Sequence, residues 1–272
     1  MKYGHLIKSL IKNTLRKVME FSRFNHSRIL IAIDKLKKLN RVQGINELVD
    51  FAFSFSSLGI DIRPSQVKEE ITKLLQIIQK ISPKVVLEIG TANGGTLFLF
   101  TRIADPRATI ISIDLPEGSF GGGYLASKIP LYKSFAGVEQ KMWLIGADSH
   151  DLQSLAKVMR ILGRKKVDFL FIDGDHTYQG VKKDFQMYSP LVRQEGIIAL
   201  HDIVRHSPQT LCEVDVPHAE HGGFLHPYPK ANKFWNEIKH DFRHIEIVKN
   251  NNQYWAGIGV LYQSLKHSLR QG

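Results

Sequence analysis

The sequence predicts an α/β protein: a doubly wound, mostly parallel sheet of seven strands with helices on both faces, preceded by a helical extension. Three observations carry this expectation. From residue 65 onward, short apolar runs alternate with segments of helical periodicity. The run Val85-Val86-Leu87-Glu88-Ile89 enters a glycine-rich turn, Gly90 to Gly95, and Leu97-Phe98-Leu99-Phe100 continue at helical pitch. Finally, successive strand-like runs each deliver an acid at their carboxyl end, namely Asp114, Asp148 and Asp173, and that is the edge at which open α/β sheets bind ligands.

In chain order, Leu6, Ile7, Leu10, Ile11, Leu15, Val18 and Phe21 recur every three or four residues with lysines and arginines between them, which predicts a basic amphipathic helix. A second helix is expected over 30–39, ending near Asn40 and Gly44. Residues 45–64 read as a connector broken by Gly59 and Pro64. Ser65 reads as a helix start, with Ile71, Leu74, Leu75, Ile78 and Ile81 on one face and Pro83 as the stop. Strands follow at 85–89, 109–114, 142–146, 167–173 and 196–201, with helices from 94, near 151–162 and near 177–190. Two late strands, near 244–248 and 257–262, complete the sheet. The chain thus divides into a basic helical extension and connector, 1–64, and a domain carrying the chemistry, 65–272. Two segments exceed ordinary connection lengths: 115–141, rich in glycine, and 204–230, rich in proline and histidine. At the ligand edge they read as lids or acceptor-recognition loops, with the acceptor between them. His206, His218, His221 and His226 lack cysteines and a regular spacing, so they read as a polar loop and not as a second metal site.

Composition narrows the class. The chain has 272 residues, 43% of them hydrophobic, enough for one sizeable core. Cys212 is the only cysteine, so no intramolecular disulfide forms, and the run Ile29–Ile33 is too short for a membrane span or a secretory signal. A cytoplasmic protein is expected. The net charge is +11, but residues 1–44 hold eleven basic and two acidic side chains, a net of +9, leaving +2 for the rest. The basicity therefore belongs to the extension. Its helix could pack on the core, join two copies of the chain, or lie peripherally on an anionic membrane surface. Basic residues do not interleave with aromatics as in a nucleic-acid module, so nucleic acid is not an expected partner.

The turn and its acids fit a nucleotide-type ligand. Glycines admit close approach, and a helix start offers free amides and a positive dipole end. Asp114 lies 24 residues after Gly90, where a ribose-binding acid falls, but Ala92 stands where a dinucleotide fingerprint has its second glycine. Asp173 and the pair His201-Asp202 close two neighbouring strands about 4.8 Å apart, so the three side chains can converge on one divalent cation. The alternative is that these acids cap following helices.

The ordered set Glu88-x-Gly90-x-x-x-Gly94-x-Thr96, Asp114, Asp148 and Asp173-Gly174-Asp175-His176 resembles the motifs of class I S-adenosylmethionine-dependent methyltransferases. With Gly196–Ile203 and Lys233–Ile238 added, residues 65–264 resemble the family of cephalosporin-hydroxylase-like and sugar O-methyltransferases, the methyltransferase family 24 type. The resemblance implies a Rossmann-like sheet with its last strand antiparallel, and S-adenosyl-L-methionine as cofactor. It implies that Glu88, Gly90, Thr91 and Gly94 form the cofactor turn, that Asp114 takes the ribose hydroxyls, that Asp148 sits by the adenine, and that Asp173 faces both cofactor and metal. Catechol-type relatives place metal ligands where Asp173, His201 and Asp202 stand, but with a carboxylate in place of His201. Magnesium is the expected ion, with manganese, iron and zinc open. His176 stands where those relatives carry a catalytic lysine and would act as general base; its other reading is a helix cap. Asp175 would ligate or orient His176. The implied reaction is metal-assisted O-methylation of a hydroxylated small molecule, most readily a sugar or glycosylated acceptor. A nicotinamide oxidoreductase, which would need glycine at 92, and a non-catalytic scaffold tethered by the basic helix are the alternatives.

Overall fold

A computed structural model describes residues 25–37, 44–116, 118, 122–205 and 230–263. Residues 25–37 form helix α1, whose Ile29, Ala32 and Leu36 recur at helical spacing and face the core. Helix α2, Ile45–Ser54, buries Leu48, Val49 and Ala52, and strands β1, Ser56–Ser57, and β2, Ile60–Asp61, pair as an antiparallel ribbon. The expected connector is therefore structured. Its apolar residues share one core cluster with the sheet, a role hidden because Gly44 and Gly59 bracket too short a periodic stretch.

Helix α3, Lys68–Gln79, begins beyond the expected start. Its cap is Val67, which makes no side-chain capping bond, so Ser65 is not the cap. Ile71, Leu74, Leu75 and Ile78 are buried as expected, while Ile81 lies past the helix end and is only partly covered.

The remaining strands are β3 (Val85–Ile89), β4 (Thr109–Asp114), β5 (Lys141–Gly146), β6 (Val167–Ile172), β7 (Val192–His201), β8 (Arg243–Ile247) and β9 (Ile258–Tyr262). They form one seven-stranded sheet in the order β5-β4-β3-β6-β7-β9-β8, parallel from β5 to β7. β9 pairs antiparallel with both β7 and β8, as the resemblance implied. β7 starts before residue 196 because polar Arg193, Gln194 and Glu195 interrupt its apolar pattern.

Helices α4 (Gly95–Ile103), α5 (Ile129–Lys133), α6 (Leu152–Leu162), α7 (Tyr178–Tyr188) and α8 (Ala231–Ile238) complete the described elements. Two core clusters flank the sheet. One joins α1 to α4 to Val86, Ile110, Phe169 and Ala199, and the other joins α6, α7 and α8 to Leu87, Ile111, Leu170 and Ile198. Alternate residues of each strand thus feed opposite faces. α8 carries the fully buried Trp235, whose ring occupies the space a side chain at Gly259 would need.

The chain runs outward from β3 to β5 and returns on the other side of β3 as β6, which places the topological switch point between β3 and β6. Among the described residues no helix is long and apolar enough to cross a membrane. The amphipathic stretch 6–21 and the histidines of 206–226 lie outside the described residues.

At the start of α4, a Cβ on Gly95 would run into the carbonyl of Ile62 and the backbone of Pro64. Backbone cannot step aside cheaply, so Gly95→Ala should destabilise by about 1–3 kcal/mol, lowering the melting temperature by about 2–4 °C per kcal/mol. An unchanged melting curve followed by circular dichroism would show that the 62–64 segment is not held as described.

Candidate active site at the carboxyl edge of the sheet

The glycine turn is closed by protein contacts. Gly90 has φ +89°, its amide donates to the Ile113 carbonyl at 2.9 Å, and the Asp173 amide donates to the Ile89 carbonyl at 2.8 Å. A Cβ at position 90 would strike the Asp173 backbone carbonyl. Gly94, with φ +88°, caps α4, and a Cβ there would strike the Tyr132 ring. Ala92 adopts φ +44°, the left-handed conformation that a glycine enters without cost. The turn therefore keeps glycine-like geometry without its middle glycine.

Glu88 lies fully buried beneath this turn. Its Oε2 accepts the hydroxyls of Thr91 at 3.0 Å and Ser112 at 2.6 Å, and Tyr124 Oη lies 2.6 Å from Thr91 Oγ1. Burial raises the Glu88 carboxyl to about 7, against the hydrogen bonds from Ser112, Thr96 and Thr91. Thr91 thus belongs to the turn's support.

Asp114 closes β4. Its Oδ2 accepts the Gly123 amide at 2.7 Å and its Oδ1 the Thr91 amide at 3.3 Å. Burial pushes this carboxyl up, opposed by those amides. The end of the first insertion therefore folds back onto the glycine turn: Tyr124, Tyr132 and Phe135 are buried, and Tyr132 Oη donates to the Ala92 carbonyl. Asp148 is apart from this group, with its side chain 59% exposed and Oδ1 accepting the His150 amide.

Across the switch point, Asp173, His201 and Asp202 each bring one ligand atom, all within 4.8 Å of one another. His201 Nδ1 lies 3.0 Å from Asp173 Oδ1 and 3.4 Å from Asp202 Oδ1. His176 Nδ1 lies 2.8 Å from Asp202 Oδ2. Among the described residues, Asp173 Oδ1 and both ring nitrogens of His201 are buried without an aligned hydrogen bond. Unsatisfied donor and acceptor atoms converging from two strand ends fit a cation site, and two carboxylates with one imidazole suit a divalent ion. Asp202 has φ +61°, a left-handed backbone that turns its carboxylate inward directly after His201.

Burial disfavours a charged His201, but Asp173 and Asp202, with Glu70 behind them, outweigh it and hold its pKa up to about 10. The same contest raises His176, where burial loses to Asp202 and Asp173. The capping alternative does not describe Asp173 or His176. α7 is capped by Thr177, which accepts from the Gly180 amide, and α8 follows Lys230. Asp175 is neither in the ligand cluster nor paired to His176 by any described bond. Its Oδ1 accepts the Thr177 amide, and its carboxylate packs on Gly180.

The sequence did not point to Gln66, Glu70, Ser112, Tyr124 or Tyr132. Gln66 Nε2 donates to Asp173 Oδ2 at 2.6 Å. Glu70 accepts the amides of Lys249 and Gly257 and the Gln253 side chain, tying the 249–257 loop beside β9 to α3. A signal was present, since positions 66, 70, 74 and 78 continue one helical stripe and the first two are polar.

Between pH 4.5 and about 7 folded Glu88 holds a proton that an unfolded glutamate has released. The folded state binds more protons there, so Glu88 makes stability fall as pH rises through this window, by roughly 3 kcal/mol in all. In urea unfolding, Glu88→Gln should match the parent at pH 4.5 and exceed it increasingly toward pH 7. Parallel pH curves for the two proteins would contradict the buried carboxyl.

Residues 87–203 match the family model for a methyltransferase domain. The chain is 23% identical over 137 residues, 46% of its length, to the uncharacterized protein y4gI of Sinorhizobium fredii. It is 45% identical over 51 residues, 18% of its length, to the uncharacterized protein R132 of Acanthamoeba polyphaga mimivirus. These alignments span 14% and 23% of the two relatives' own lengths. In three dimensions it is similar to the O-methyltransferase TomG of Streptomyces achromogenes, involved in tomaymycin synthesis and solved in complex with SAM, with TM-score 0.52, 14% identity, and 83% and 92% of the two chains covered. It is also similar to cofactor-bound Rv0187 from MTB, with TM-score 0.50, 17% identity, and 86% and 97% covered. At such identities the likeness establishes the shared fold. Residues 87–203 are thus a methyltransferase domain, set in the fold shared with the solved O-methyltransferase named above.

Proposed function

We propose that the protein transfers a methyl group from S-adenosylmethionine to a hydroxyl of a small molecule, a sugar or glycosylated acceptor, with a divalent cation assisting. The observation that carries this reading is the position of Asp173. Its backbone abuts Gly90 of the cofactor turn, and its side chain joins His201 and Asp202 in one ligand group. Cofactor and acceptor oxygen are thereby brought to the same strand end. In this reading Gly90, Gly94, Asp114, Asp148 and Asp173 face the cofactor, and Glu88 and Thr91 hold the receiving turn from beneath. Asp173, His201 and Asp202 hold magnesium or manganese, and all of these residues lie in the proposed catalytic domain, 65–272. The basic charge before residue 45 would serve contact with a second copy or an anionic membrane surface.

When bound, the cofactor supplies an electrophilic methyl group and the cation acidifies and holds an acceptor hydroxyl. The chain's own part is positional. The two strand ends hold the acceptor in line, and such alignment supplies much of the rate enhancement in a displacement. His176 points Nδ1 at Asp202 Oδ2. With that proton directed at the carboxylate, the lone pair resides on Nε2, which takes the acceptor's proton. Asp202 thus orients a base through one oxygen and serves the cation site through the other.

Two outcomes are expected. Titration calorimetry should show micromolar S-adenosylmethionine binding that weakens about 10- to 100-fold in Asp114→Ala, the loss of a charge-assisted hydrogen bond of about 1.5–3 kcal/mol. No binding to the parent protein under any metal condition would sink the methyltransferase reading. His176→Gln should lower kcat by about 10²- to 10⁴-fold, the span of general-base catalysis, with cofactor affinity unchanged. A variant of near-parental kcat would remove His176 from the chemistry.

A further inference from the structure

Asp173 is held from an unexpected direction. Gln66 lies 107 positions earlier, on the short segment between β2 and α3, and its Nε2 donates to Asp173 Oδ2 at 2.6 Å. The other oxygen of the same carboxylate, Oδ1, is the one turned toward His201 Nδ1 and is buried with no aligned hydrogen bond. The two oxygens therefore differ: one is occupied by an amide, and the other is left for the ligand group.

Gln66 is itself buried, and among the described residues its carbonyl oxygen Oε1 has no hydrogen-bond partner. An unpaired buried carbonyl costs stability, and a methionine of similar size would avoid that cost. Good packing alone thus does not explain an amide here, whereas the bond to Asp173 does. The segment that carries Gln66 is also rigidly placed. Ile62 and Pro64 sit against Gly95 at the start of α4, and one turn beyond Gln66 the buried Glu70 accepts two backbone amides and the Gln253 side chain. Outer partners of this kind orient first ligands, and their removal commonly costs 10- to 100-fold in metal affinity.

We infer that Gln66 is a positioning residue for the cation site: by occupying Oδ2 of Asp173 it fixes the carboxylate with Oδ1 facing His201 and Asp202. The inference rests on the metal-assisted reading above. It assigns a task in that site to a segment outside the matched methyltransferase domain, which begins at residue 87.

The test is Mn²⁺ binding to the full chain, followed by calorimetry and by the loss of the free-ion electron paramagnetic resonance signal, in the parent, Gln66→Met and Gln66→Asn. Melting of each protein is recorded without metal. The expected result is a 10- to 100-fold weaker Mn²⁺ affinity in Gln66→Met with a cooperative metal-free melting transition retained, since the variant loses the unpaired Oε1 but also the donor to Asp173 Oδ2. Gln66→Asn, whose amide falls one methylene short of Asp173, should also bind Mn²⁺ at least 10-fold more weakly. Parental affinity in either variant overturns the inference, as does weakened affinity accompanied by loss of the cooperative metal-free melting transition, which marks a merely structural role. A parent protein that binds no Mn²⁺ overturns the metal-assisted reading itself, so the two failures are distinguishable.

Discussion

Much of this active site depends on one close backbone contact, between the α-carbon of Gly90 and the carbonyl of Asp173. It exists because β3 and β6 are parallel neighbours across the switch point, with the Ile89 carbonyl accepting the Asp173 amide just before the chains diverge. Any side chain at 90 would part the two strand ends. With glycine there, the glycine-rich turn and the acid-bearing loop after β6 leave the sheet in contact. The glycine turn and the Asp173 loop thereby share a wall, and the parallel pairing of β6 with β7 adds His201 and Asp202 to the same wall.

Charge balance is the second constraint. Two nearly buried carboxylates, Asp173 and Asp202, stand beside each other, an arrangement that calls for a positive partner between them. In the metal-free protein His201 supplies it, held protonated to about pH 10 by those same acids. A divalent ion would replace that proton with stronger attraction and satisfy atoms that otherwise lack partners. The polar layer beneath the turn is arranged differently. Glu88 faces hydroxyls and no cation, so its carboxyl remains protonated to near neutrality and the turn rests on a neutral hydrogen-bonded base.

The strands and their terminal acids were legible because each strand is a compact apolar run stopped by a charged or glycine residue, a pattern local to five or six positions. Asp114, Asp173, His201 and Asp202 could be placed at one edge for the same reason. The short helix α2 and the ribbon β1–β2 were not legible, since glycines interrupt their periodicity and their burial comes from α3 and α4. Gln66 and Glu70 escaped notice because their partners lie 107 and up to 187 positions away, and no local pattern encodes such pairings. Tyr124 and Tyr132 looked like members of a lid. They fill space over Gly94 and Thr91, so the end of that insertion is core packed on the glycine turn.

The most direct test of the metal-assisted account is a crystal grown with S-adenosylhomocysteine and Mn²⁺, with anomalous diffraction recorded at the manganese edge. The account predicts one anomalous peak bonded to Asp173, His201 and Asp202 at about 2.0–2.3 Å, with the nucleoside seated over Gly90 and its ribose at Asp114. An ordered nucleoside with no manganese at those three side chains would contradict the metal's role, and a nucleoside bound elsewhere would contradict the assignment of the site.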